Sequence, residues 1–210
     1  PEWTQGGGSD PLPTTDAIKH HGDWTSSGKG DQIILAANRP GSAGNGFRHY
    51  RGTGTNSGGG GLKITLPAPL TEMWVRLYMR NGGGLAYSGG NPSYTKDMYW
   101  NVGGQFLIFG HQGGAWGLHT IQGSTNIPSS KKFSDTNDGA FHCYEYHVRQ
   151  SGGGLAEMWI DGVQVLNRAV NLGTAPWAYF GLGENQSNVT TAGYTDYDDI
   201  AVSGAGRIGC

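Results

Sequence analysis

The chain has 210 residues, of which 14% are charged, and a formal net charge of −2. That length suits one domain with a sizeable core, and the charge balance argues against a nucleic-acid or anionic-membrane partner, since both need a basic patch. No apolar run approaches the roughly 18 residues of a membrane-spanning helix, so no membrane insertion is expected.

The chain opens at Pro1 without a Met and with no signal peptide, as expected of a mature or trimmed form. "HHGDW" (His20, His21, Asp23) reads as surface rather than metal site, because adjacent histidines on a strand point to opposite faces. Helical periodicity is nearly absent from there on. Strand-like segments recur at 32–37, 46–51, 62–66, 72–80, 97–102, 105–111, 116–121, 141–150, 155–160, 163–166, 177–182 and 197–203. Between them lie short glycine runs such as "NSGGGG", "NGGG" and "HQGGA", drawn from 39 glycines, the punctuation of tight turns. "EMWIDGVQV" is the clearest hairpin, with Asp161-Gly162 supplying the positive φ angles of a two-residue turn. Most segments have one apolar face, and no linker divides them. The pattern predicts an all-β antiparallel sandwich of two packed sheets, a jelly roll over residues 1–210, with a concave groove on one sheet.

"EMWVRLYMR" (72–80) alternates strictly. Met73, Val75, Leu77 and Met79 form an inward list, and Trp74, Arg76, Tyr78 and Arg80 stand on the outward one with Glu72. An indole, a phenol and two guanidiniums are costly choices for plain solvent. Flat sugar faces lie on aromatic rings, and guanidinium forks bind carboxylates in pairs of hydrogen bonds. The outward list is therefore expected to line the groove and bind a polysaccharide, an acidic one above all; the plainer reading packs it under a loop. Other polar and aromatic residues that could join it are His49, Tyr50, Arg51, Tyr99, Trp100, Asn101, His111 and His119.

Cys143 and Cys210 allow two readings, separate thiols or a bridge closing about 67 residues, the latter worth on the order of 4 kcal/mol. The bridge suits a secreted β-protein. The sequons at Asn185 and Asn188 matter only in a eukaryotic source. "GAGRIG" satisfies a dinucleotide fingerprint but follows the last strand and leads into no helix, so that reading fails.

Several segments resemble the concanavalin A-like lectin/glucanase superfamily, and more narrowly its bacterial laminin-G-like and polysaccharide-lyase-like jelly rolls. "LTEMWVRLYMR" resembles that group's E-hydrophobic-W/Y-V-R strand. "DGAFHCYEYHVRQ" with "GGGLAEMWIDGVQV" is similar to its paired strands ending in W-x-D-G, and "YTDYDDIAVSGAGRIG" to its closing strand. The resemblance implies a sugar-handling jelly roll. It also implies, by position, a calcium held near the chain end by Asp199, with Asp196 and Asp198 as neighbouring oxygen donors. No other cofactor is required.

The superfamily mixes lectins, hydrolases, lyases and adhesion modules. The E-x-D-x-x-E of its glucanases is missing, so no strand offers the two close carboxyls of a retaining hydrolase. The lyase signatures R-T-E-x-R, Q-I-H and Y-x-K-A-G-x-Y are missing too. Polysaccharide binding is the first reading, and a lyase using Tyr78, His111, His119 and Arg76 in β-elimination is the second. A surface adhesion or assembly module is the third. The oligomeric state stays open.

Overall fold

The computed structural model describes residues 18–21, 32–36, 39–43, 46–51, 53–56, 61–102, 105–120, 125–183 and 186–210. Its strands begin with β1 (Ile18–His21), β2 (Gln32–Ala36), β3 (Gly46–Arg51) and β4 (Gly54–Asn56). There follow β5 (Gly61–Leu70), β6 (Glu72–Gly82), β7 (Ala86–Tyr87), β8 (Met98–Val102) and β9 (Gln105–Gln112). Next come β10 (Ala115–Thr120), β11 (Thr125–Lys132), β12 (His142–Arg149) and β13 (Leu155–Ile160). The last four are β14 (Val163–Ala169), β15 (Trp177–Leu182), β16 (Gln186–Thr191) and β17 (Gly193–Ser203).

Two seven-stranded antiparallel sheets carry the architecture. The first runs β1–β5–β15–β8–β9–β10–β11 and the second β14–β13–β12–β6–β17–β3–β2, with a small third sheet, β4–β16–β7. They pack face to face because alternation gives each an apolar side. From β6 come Met73, Val75, Leu77 and Met79, none more than 2% exposed. Trp100, Phe109, Trp116, Leu118 and Phe180 of the first sheet join them in one cluster. Phe109 meets Tyr146 at 4.8 Å and Trp116 meets Tyr144 at 4.9 Å between ring centroids, across the two sheets. Each such side chain stabilises the fold by about 1.5–3 kcal/mol on burial.

Each strand read from periodicity is present within a few residues. Five strands were not anticipated: β1, β4, β7, β11 and β16. Their sequences explain why. β11 ("TNIPSSKK") is polar and contains Pro128, which an edge strand tolerates and a central one does not. β16 ("QSNVTT") is equally polar and pairs only within the small third sheet. The closing strand also starts four residues before the expected 197, at Gly193.

The β13–β14 turn has Asp161 at φ 50° and Gly162 at φ 80°, as the hairpin reading requires. The Asp161 carboxylate then accepts the Cys143 N–H at 3.0 Å and ties that turn to β12. Cys143 and Cys210 form a disulfide, with Cα atoms 5.9 Å apart. The chain after β17 is thereby bound across the outer face of the second sheet.

Candidate functional site

The outward list of β6 does face away from the core, and each of its heads has a partner within the chain. Trp74 stacks on His147 at 3.8 Å, with planes 6° apart, and leans on Trp159 at 5.4 Å. Arg76 donates to the Asp199 carbonyl at 3.1 Å, and the Arg39 guanidinium lies 4.0 Å over the Tyr78 ring. Arg80 donates through Nε to Asp196 at 2.8 Å, and its head covers Phe141 at 4.7 Å.

The C-terminal strap closes this face further. Arg207 donates to Glu145 at 2.6 Å, and the Ile208 and Gly209 N–H groups donate to the same carboxylate at 2.9 and 2.8 Å. Glu145 is left with no exposed surface. Beside it the His147 ring lies between two carboxylates, Glu157 at 2.7 Å and Glu72 at 2.9 Å. The open groove expected along β6 is therefore not what this face presents: aromatic stacking, ion pairs and the strap occupy it.

The closing-strand aspartates do not fit calcium either. Asp196 receives Arg48 through both oxygens, at 2.6 and 2.9 Å, besides Arg80. Asp198 accepts the backbone N–H groups of Arg39, at 2.6 Å, and Asp199, at 2.8 Å. Asp199 sits in a bulge at φ 47°, where its carboxylate takes the Arg39 guanidinium and the Ser42 hydroxyl. Its pKa stays below the usual value because the bonds from Ser42 and Arg39, with the charges of Arg39 and Arg76, outweigh its burial. Arginines already balance Asp196 and Asp199. Among the described residues no group of three or more His, Cys, Asp or Glu is placed to hold a metal ion.

The residues named for a lyase lie on three separate surfaces. Tyr78 and Arg76 occupy the outer face of the second sheet. His111 points between the sheets, against Trp116 at 3.6 Å and with Nδ1 3.2 Å from Asp97, and burial lowers its pKa. His119 points out from the first sheet. These four cannot meet one substrate, because strand alternation sends them to different sides. His49 shares the inward side of Phe47 and is buried, while the side chains of Tyr50, Arg51 and Asn101 lie outside the described residues. Asn188 donates its amide to Ser88 and Asn91, both at 3.1 Å, and so serves a turn.

The first sheet offers a different arrangement. Lys19, Lys63, Gly181, Tyr99, Ile108, His119 and Asn126 stand opposite one another in register, one from each of its seven strands. Their neighbours Trp100, Phe109, Leu118 and Phe180 fill the core, so this row belongs to the outer face. Gly181 is required here, since a Cβ would come within 2.0 Å of the Tyr99 ring. His119 is 4% exposed, and among the described residues neither ring nitrogen completes a hydrogen bond. Its pKa is lowered to about 4, first by burial and then by the charge of His111; the Gly110 backbone and Asn126, on either side, pull weakly the other way. The Tyr94 ring lies 5.8 Å from the His119 ring. Tyr179 stands on the same side of β15 as Gly181, two residues before it, and both Tyr94 and Tyr179 are half-buried. Sequence reasoning picked out Tyr99 and His119 but missed Tyr94, Tyr179 and the two lysine positions, which only strand order brings to this face.

No family model matches the chain, and no curated protein matches it by sequence. Solved structures do. Cip1, a cellulose-induced protein, aligns at a TM-score of 0.69 and 17% identity, over 94% of this chain and 95% of that one. An endo-β-1,4-glucuronan lyase from the fungus Trichoderma reesei aligns at 0.57 and 12%, over 88% and 94%. The alginate lyase Aly36B aligns at 0.53 and 14%, over 89% and 96%. The fold is shared. At such identities the likeness shows the fold alone, which accords with the jelly roll read from the sequence.

Proposed function

We propose that the protein is a secreted carbohydrate-active module that binds an acidic polysaccharide across the outer face of the first sheet. The observation that carries this reading is the seven-strand row, with His119 and Tyr99 buried at its centre and half-buried Tyr94 and Tyr179 alongside. Half-buried tyrosines suit the flat C–H faces of sugar rings. The names of two fold neighbours, a glucuronan lyase and an alginate lyase, support this substrate class. The Cys143–Cys210 bridge supports an oxidising, extracellular compartment.

Titration calorimetry with glucuronan, alginate, pectate and a neutral glucan tests the reading. Saturable binding of an acidic chain, weakened about tenfold or more in a Tyr94→Ala/Tyr179→Ala variant, is expected. Undiminished affinity in that variant would remove the site.

A second reading is β-elimination, and the state of His119 favours it. An imidazole kept neutral at pH 7 can take the C5 proton of a uronate, while a tyrosine hydroxyl donates a proton to the leaving O4 as the C4–O bond breaks and C4=C5 forms. Ultraviolet absorbance of the new double bond on the same panel decides it. Absorbance that grows with time and disappears in His119→Ala supports the lyase; silence on every uronan leaves the binding module.

A further inference from the structure

At one end of the second sheet a hollow of about 550 Å³ opens to solvent. That is within the size of pockets that hold small ligands. Its wall combines Arg80, at the end of β6, with Tyr194 at the start of β17, Asn137, and the Gly82–Gly84 turn. None of the residues that form the row on the first sheet lines it.

Three features fix the chemistry of this wall. First, among the described residues it contains one cation, Arg80, and no carboxylate. The Arg80 side chain is 27% exposed; it bonds Asp196 through Nε, and Asp196 is itself 1% exposed and held at both oxygens by Arg48. Asp138, between the lining residues Asn137 and Gly139, does not contribute to the wall. Its carboxylate turns onto the Ala140 N–H at 2.8 Å and onto His142 at 3.1 Å. Second, the guanidinium is held in place by Asp196 and by Phe141 beneath it, so little freedom is lost when an anion meets its remaining edge. Third, part of the wall is the backbone of the Gly82–Gly84 turn. Gly83 and Gly84 have φ 68° and 78°, the two central residues of a tight turn closed by Leu85 N–H to the Gly82 carbonyl at 3.3 Å. A Cβ on Gly82 would collide with the Tyr194 ring at 2.5 Å. The Tyr194 ring fills the space a Gly82 side chain would take, and at Gly84 the nearest atom to such a side chain is the Thr191 methyl, 4.0 Å away, so the peptide groups at Gly84 are the ones a ligand can approach.

We propose that this hollow is a second binding site, for a single carboxylate-bearing sugar such as a free or chain-terminal hexuronate. The carboxylate meets Arg80, and the ring hydroxyls meet Asn137 and the peptide groups of the glycine turn. The phenol of Tyr194 closes the side toward β17. The site does not depend on the glycan site of the first sheet.

Calorimetry with free glucuronate tests the proposal, with glucose and inorganic phosphate as comparisons. Arg80→Gln leaves Asp196 paired with Arg48, so the fold is kept, and Asn137→Ala changes the other wall without touching that pair. The expected result is saturable glucuronate binding that falls about tenfold or more in either variant. It should persist in Tyr94→Ala/Tyr179→Ala, where only the first-sheet site is altered. Glucose binding as tightly would deny the role of the carboxylate, and phosphate binding as tightly would reduce the hollow to a general anion site. No saturable binding, or equal binding in Arg80→Gln, would overturn the proposal whatever the polysaccharide assay shows.

Discussion

A neutral imidazole held 4% exposed on the first sheet cannot accept a proton without losing hydration that the unfolded chain provides. The folded pKa of His119 is lowered to about 4 from the ordinary histidine value of 6.5, with burial as the main cause. Between those values the unfolded chain binds a proton that the folded one refuses. The stability tied to this group is therefore whole above pH 6.5 and is lost as pH falls toward 4, amounting to about 3 kcal/mol. Urea unfolding at pH 7 and pH 4.5 checks it: His119→Gln should lose less stability over that interval than the native chain, and an identical loss would refute the assignment. His142 works in the opposite sense. Burial lowers its pKa, but bonds to Asp161 and Asp138 outweigh that and raise it, so its contribution is present below pH 6.5 and fades as pH rises through the raised value. On the other face, Glu145→Ala strands the Ile208 and Gly209 N–H groups and Arg207 together. A loss of about 3 kcal/mol is expected by chemical denaturation. The unusual heads of β6 were legible as a list. Their partners were not, because Asp199 lies 123 positions from Arg76 and Asp196 lies 116 from Arg80.

Among elements, the C-terminal strap depends on Cys143–Cys210 for its hold. The bridge closes 67 residues, so replacing both cysteines with serine should cost about 4 kcal/mol, read as a lower urea midpoint. An unchanged midpoint would mean that the Glu145 bonds alone secure the strap. On the first sheet, Gly181→Ala drives a methyl into the Tyr99 ring, and a loss of about 2 kcal/mol or more is expected from such overpacking. Most strands were legible because burial of one face imposes alternation, as in β6, where buried and half-buried residues alternate along its whole length. Those missed, β11 and β16 above all, are polar strands at an edge or in the small sheet, where nothing demands an apolar face. The turn at Asp161-Gly162 was legible for a local reason, since positive φ at both positions is a property of two adjacent residues.

The whole molecule presents two unlike outer faces. The second sheet spends its arginines, aromatics and acids on itself beneath a tethered strap. The first sheet aligns Tyr99, Ile108 and His119 in one row with, among the described residues, no hydrogen bond to either His119 nitrogen. Sequence could place residues on a face of their own strand, yet it could not say which strands lie side by side. That is why Tyr78 and His119 were grouped although they lie on different sheets. Hydrogen exchange with and without an acidic glycan, glucuronan first, tests most directly which face receives the chain. Protection concentrated in residues 98–102, 105–120 and 177–182 is the result predicted. Protection concentrated in residues 72–80 and 142–149, with the first sheet unchanged, would contradict it.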